Sequence, residues 1–157
     1  MKENKLADHL INNFKLGKES LHGPRHWEKV LQNGIEISEM NPNIDADVVR
    51  LFSIIHDSKR ENESIDIEHG MRAAESISQL EELGLLTITS EQKEKLYYAC
   101  QHHTNGKTSS DLTIGTCWDA DRLELYRVGI IPEAAYFSTE EGKSILARRY
   151  NKPTIQS

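Results

Sequence analysis

Residues 48–55, VVRLFSII, are apolar on nearly every side when wound into a helix, and the run ends directly in His56-Asp57. A helix without a broad polar face has to be surrounded by other helices. This one segment therefore calls for a bundle with a central member. It also leaves an imidazole and a carboxylate at the end of a buried rod. Each needs a partner there, because an uncompensated buried polar group costs about 1–3 kcal/mol on protein scales. Taken alone, the dipeptide is most simply a histidine at the negative end of the helix dipole beside a turn-capping aspartate.

The rest of the chain follows the 3.6-residue period, and strand-like alternation never persists for more than a few residues. The spacing predicts helices near 4–16, 24–40, 45–57, 68–83, 90–103, 116–128 and 139–150. Pro24 suits a first helical position, NPNID at 41–45 ends one helix and caps the next, and Gly84 suits the residue just past a helix end. Thr89 with Gln92, and Ser138 with Glu141, have capping-box spacing. The reading is all-α: one domain over residues 1–157, a bundle of six to seven helices with its core at roughly 22–129. The polar stretch 104–115, TNGKTSSDLTIG, is the longest predicted break and a candidate lid.

At 157 residues the chain can bury a core without disulfides or a structural metal. Its net charge of −6, with no basic run longer than Arg148-Arg149, argues against a duplex nucleic-acid partner. The N-terminal MKENKLADHLINNF has no continuous apolar stretch of a signal peptide, and no segment is apolar for long enough to span a bilayer. Two cysteines, Cys100 and Cys117, form no paired pattern, and their spacing with His102 does not suit zinc. A cytoplasmic protein is the expectation. The apolar PEAAYF at 132–137 fits either core or the contact of a homodimer.

Other polar residues recur on apolar faces. His26 lies at the edge of the face made by Trp27, Val30, Leu31 and Ile35. His69 is in line with Ala73, Ile77 and Leu80, where the Ala73-Ala74 pair would let a neighbouring backbone approach. His103 continues the series Leu96, Ala99, Cys100, while the adjacent His102 falls off it. Asp121 shares a face with Trp118, Leu125 and Val128; Asp119 leans towards Leu123 and Tyr126, so periodicity alone leaves the two aspartates open. Any one of these residues is more simply a hydrogen-bonded core group. Four histidines and two aspartates on the inner faces of five helices are better explained by a shared cation that accepts imidazole and carboxylate together. Fe, Mn, Co, Ni or Zn suit such donors, and Mg suits them less. Two ions fit if all six bind; one fits if only His26, His56, Asp57 and Asp121 do.

With these residues in order, the sequence resembles the HD superfamily of metal-dependent phosphohydrolases. His26-x-x-x-Val30, IIHD at 54–57 and ADRL at 120–123 are similar to the superfamily's first histidine, its signature pair and its closing aspartate. EHGMRAA at 68–74 and HTNG at 103–106 resemble the two further histidine motifs of dinuclear members, such as the HD-type diadenosine-tetraphosphate hydrolases. The resemblance implies Asp121 rather than Asp119 as the closing ligand, and His69 and His103 as ligands of a second ion. It also departs from the pattern: SKRENE follows the His-Asp pair, and Arg60 stands where a lysine is common.

What the resemblance implies is cleavage of a phosphate ester or anhydride in a small nucleotide-like substrate, by hydroxide activated at one or two divalent ions with Asp57 shared between them. Arg60 first, then Lys59 or Lys107, is expected to meet charge on the phosphoryl oxygens. Thr104 and Lys107 in the HTNGK loop are expected near substrate, as is His22, which lies before Pro24 and outside the helix. His102 is expected at the surface or, at most, beside the substrate. The same ligand set also occurs in dinuclear-iron oxygenases of the superfamily, and a non-catalytic nucleotide-sensing module is a third reading.

Overall fold

The structure, a computed structural model, describes residues 2–150. Among them are seven α-helices and no strand: α1 Lys2–Asn12, α2 Pro24–Glu39, α3 Ala46–Ile55, α4 His69–Glu82, α5 Ser90–His102, α6 Leu112–Arg122 and α7 Glu140–Tyr150. Two 3₁₀ turns, Leu125–Val128 and Ala134–Tyr136, lie between α6 and α7. None of these helices is long and apolar enough to cross a membrane.

The predicted central helix is α3, which packs against α1, α2, α5 and α6. Its Val48, Val49, Phe52 and Ile55 are at most 1 % exposed, and His56 at its end is fully buried. Around it α2 and α6 pair, α4 lies along α5, and α7 closes over α2 and α6. This arrangement points the C-terminal ends of α3 and α5 and the N-terminal end of α4 at one place, where His56, His103 and His69 sit. Gly70 makes the α4 contact possible: a Cβ there would lie 2.7 and 2.9 Å from the carbonyl oxygens of Cys100 and Gln101. This close approach lies one turn before the Ala73-Ala74 pair, both of which are fully buried.

Local signals account for most boundaries. Pro24 opens α2, and Asp45 caps α3 by accepting from the Asp47 and Val48 amides. Thr89 and Gln92 form a reciprocal capping box. After α4, Gly84 adopts φ +72°, and the Leu85 and Gly84 amides donate to the Leu80 and Glu81 carbonyls, a Schellman closure.

Several boundaries differ from the sequence expectation, and α3 itself ends at Ile55, before the His56-Asp57 pair. The first helix stops at Asn12, because Asn13 turns its side-chain amide back onto the His9 carbonyl. The sixth starts at Leu112 rather than 116, because Asp111 caps it through the Thr113 and Ile114 amides. It ends at Arg122, so Leu125 and Val128 belong to a 3₁₀ turn and not to the face that carries Asp121. The last helix is capped by Thr139, whose hydroxyl accepts from the Gly142 amide, one residue beyond the expected Ser138. As a result the break after His103 shortens, and the irregular segments 56–68 and 123–139 become the longer ones.

A candidate dinuclear metal centre

Six side chains converge between α2, α3, α4, α5 and α6. Nε2 of His26 lies 3.1 Å from Nε2 of His56, and Nε2 of His69 lies 2.9 Å from Nε2 of His103. Asp57 stands between the two pairs and offers one oxygen to each. Its Oδ1 is 3.2 Å from His69 and 3.3 Å from His103; its Oδ2 is 3.2 Å from His26 and 3.5 Å from His56. Asp121 Oδ1 closes the first group, 3.1 Å from His26 and 3.4 Å from His56. All four imidazoles and Asp57 are buried, whereas the Asp121 side chain is 16 % exposed.

The orientation of the rings tests whether a cation fits. Nδ1 of His56 faces the Phe52 and Ser53 carbonyls at 3.0 and 3.1 Å, Nδ1 of His69 the Asp66 carbonyl at 2.5 Å, and Nδ1 of His103 the Cys100 carbonyl at 2.7 Å. A carbonyl can only accept, so each Nδ1 carries a proton, and in the neutral imidazole Nε2 then presents a bare lone pair. Neither His69 nor His103 can then donate to the other across 2.9 Å. Two lone pairs and a carboxylate oxygen directed at one point are a stable arrangement when a positive charge lies among them. The donor set therefore fits divalent ions: His26, His56, Asp57 and Asp121 on one side, and His69, His103 and Asp57 on the other.

The electrostatics agree. Burial pushes the Asp57 and Asp121 carboxyls up, but positive charge carried on the imidazole side, at His56 first, outweighs it and holds both well below the usual carboxylate range, a demand for a cation that bare Nε2 lone pairs alone would leave unmet. Burial pushes His26 down, and Asp121 and Asp57 more than reverse it, raising its pKa to about 8. Nδ1 of His26 is buried without a partner, so its proton is free to sit on Nε2 between the two carboxylates. In the metal-free protein a proton thus takes the place of a cation. Because His26 is raised from 6.5, its contribution to stability is full below that value and lost as pH rises through about 8. The carboxylates contribute above about pH 4 and lose it on acidification. Metal must displace the His26 proton, so divalent-ion affinity is expected to climb between pH 6.5 and 8, with proton release that fades above pH 8. Calorimetry in buffers of different ionisation enthalpy reads that release; a pH-independent affinity would contradict it.

Asp119 is also fully buried, but it turns the other way. Its carboxylate accepts from the Ser138 and Thr139 amides and the Thr139 hydroxyl, anchoring the start of α7. The two aspartates that periodicity left open thus separate, Asp121 towards the imidazoles and Asp119 towards the last helix.

Asp57, His69, His103 and Asp121 of the centre line a cavity of about 550 Å³, and His26 and His56 do not reach its lining. Of the residues expected near substrate, His22, Arg60, Thr104 and Lys107 line it. His22 donates from Nε2 to the Glu63 carbonyl at 3.0 Å, leaving Nδ1 buried without a partner, and burial with the nearby Arg60 lowers its pKa. Thr104 Oγ1 is 3.5 Å from His69 Nε2. Arg60 donates to the Asn62 and Ser64 carbonyls. Lys59 and His102 are not among the lining residues: the Lys59 carbonyl accepts from Arg72, and His102 packs its ring against Tyr98 with centroids 4.6 Å apart. Cys100 and Cys117 are free and buried in the core, and no group of close metal donors among the described residues includes them.

Sequence reasoning missed Arg122, Arg127 and the wall from 125 to 137. Arg122, next to Asp121, donates to the carbonyls of Gly106, Lys107 and Tyr136 and lies over the Trp118 ring at 5.5 Å. Its position in ADRL was the available signal. Arg127 holds the Leu21 and Glu124 carbonyls, and nothing in the sequence marks it. PEAAYF, read as core or interface, divides: Pro132 and Phe137 are buried, and the residues between them are exposed.

No protein-family model matches the sequence, and no curated protein is similar enough to match it. The chain is similar to the crystal structure of a predicted HD superfamily hydrolase from an uncultured Thermotogales bacterium. The TM-score is 0.73 at 25 % identity, over 94 % of this chain and 84 % of that one. With a buried His/Asp cluster at the place where α3 ends in the His56-Asp57 pair, the chain has the HD-domain fold of that protein.

Proposed function

We propose that the protein is a metal-dependent phosphohydrolase that cleaves a phosphate ester or anhydride of a small, nucleotide-like substrate. One observation carries the reading: two pairs of facing imidazole nitrogens flank a single carboxylate that opens into a cavity whose walls carry Arg60, Lys107, Arg122 and Arg127. His26, His56, Asp57 and Asp121 would hold one divalent ion, and His69, His103 and Asp57 a second. When bound, such ions neutralise phosphoryl charge and acidify water. The relative's description as a predicted HD superfamily hydrolase supports hydrolysis at the level of the superfamily.

The chain's own residues do the rest. Backbone carbonyls fix the tautomer and aim of three imidazoles, so the donors need no reorganisation when charge develops. Lys107 and Arg60 are within the cavity to meet phosphoryl oxygens, and the Thr104 hydroxyl stands beside His69 to donate to one of them. In the overall reaction water forms a new P–O bond, the bond to the leaving oxygen breaks, and that oxygen takes up a proton.

The test is phosphate release over a panel of nucleotides and other phosphate esters, with the protein loaded separately with Mn, Co, Ni, Fe or Zn. Metal-dependent release is expected, falling about a hundredfold or more in His103→Ala and less than threefold in His102→Ala. Oxygen consumption by the iron-loaded protein, without phosphate release, would replace the reading with an oxygenase. Nucleotide binding without turnover, at less than one ion per chain after reconstitution, would leave a sensing module.

A further inference from the structure

One wall of the cavity is apolar and built to stay in place. It comes from the irregular segment 125–137, which carries Val128, Ile130, Ile131, Pro132 and Tyr136 into the cavity lining. Ile130, Ile131 and Tyr136 are 51 %, 74 % and 53 % exposed. Large apolar side chains exposed beside one another mark a contact site more often than chance. Here the exposure is not a by-product of a loose loop. Gly129 at φ +81° turns the chain after the first 3₁₀ turn, its amide and that of Ile130 donate back to Tyr126 and Leu125, and Pro132 and Phe137 are buried on either side. Arg122 holds the Tyr136 carbonyl at 2.6 Å.

The charges in the same cavity are mostly committed. Arg122 is buried against three carbonyls, Arg127 donates to two, and the Nη1 of Arg60 donates to two more. Of the four lining cations, Lys107 keeps its whole head group without a protein partner among the described residues. Glu133 stands on the apolar wall itself. A second or third phosphate running out along Ile130, Ile131, Pro132 and Glu133 would meet apolar side chains and a carboxylate, and Arg127 at the foot of the segment already donates to two carbonyls.

Resting on the hydrolase reading, we infer that the substrate is a phosphomonoester of an aromatic-bearing group. Its single phosphate sits at the metal centre within reach of Lys107, and its ring lies on Ile130, Ile131 and Tyr136. The volume of about 550 Å³ is within the range that holds a ligand of nucleoside size. Glu133, also in the lining, is available to accept from a ring or sugar donor.

Two measurements on the metal-loaded protein test this. The first compares kcat/KM for nucleoside monophosphates and p-nitrophenyl phosphate with that for nucleoside triphosphates and glycerol phosphate, in the native protein and in I130S/I131S. Aromatic monoesters are expected to be preferred about tenfold or more, and the double substitution to reduce that preference about tenfold. The second reads binding without turnover, by calorimetry with phenylphosphonate against methylphosphonate; the phenyl compound is expected to bind about tenfold tighter and to lose that advantage in I130S/I131S. Triphosphates or glycerol phosphate turned over as well as the aromatic monoesters would overturn the inference and leave the hydrolase reading standing. Equal binding of the two phosphonates would also overturn it. With no phosphate released from any compound, the hydrolase reading fails, and the phosphonate comparison still decides whether the wall receives a ring.

Discussion

Asp57→Ala is expected to lower metal-dependent phosphate release about a thousandfold or more and to leave less than one bound ion per chain. The size of the effect comes from the position of one side chain between two pairs of imidazoles. Oδ1 faces His69 and His103, and Oδ2 faces His26 and His56, so truncation removes a donor from both groups at once. It also removes the buried negative charge that holds a cation, or the His26 proton, in place. Asp57→Asn keeps the shape and is expected to lose nearly as much, because a neutral amide is a poor bridge and its NH2 would face imidazole lone pairs or an ion. His56→Ala takes a donor from one group only and should retain the His69, His103 and Asp57 group. Metal content by elemental analysis, alongside phosphate release, separates these cases. Two ions per chain in Asp57→Ala, or activity within tenfold of the native protein, would contradict the assignment.

The second large effect is expected at a residue that is not itself a candidate ligand. Arg122→Ala should lower stability by about 2–4 kcal/mol, a fall in thermal midpoint on the order of 5–15 °C. Three carbonyls, of Gly106, Lys107 and Tyr136, lose their donor together, and the Trp118 ring loses the cation above it. These carbonyls belong to the two segments that flank the cavity, so KM should rise more than kcat falls. Arg122→Lys should recover little, because a single ammonium cannot span three acceptors in two loops. Metal content should be unchanged. A variant with native thermal stability and native KM would show that the two segments hold together without it.

The bundle was legible because its helices carry strong signals: the apolar run of α3 demanded a central position, and Asp45, Thr89-Gln92 and Gly84 marked their ends. The start of α6 was harder, since Asp111 sits among serines and threonines that all suit loops, and only the side-chain bond to the Thr113 and Ile114 amides distinguishes it. Asp119 and Asp121 could not be separated by periodicity because the helix ends at Arg122, so the residues used to define its face, Leu125 and Val128, do not belong to it. Arg122 and the wall at 125–137 were illegible for a different reason. Their geometry depends on side chains meeting backbone carbonyls and on non-repeating dihedrals, and neither leaves a pattern in residue type.

Three of the four imidazoles described above stand at helix termini, and the protons on His56 and His103 go to the last carbonyls of α3 and α5. The candidate ligands are thus also the stoppers of their helices, and an ion gripping them would act as a common knot for several loose ends. Substitutions that tune the chemistry at this centre would therefore be felt as fraying along the bundle. Robustness and reactivity in this protein share the same few side chains, and selection on either one constrains the other.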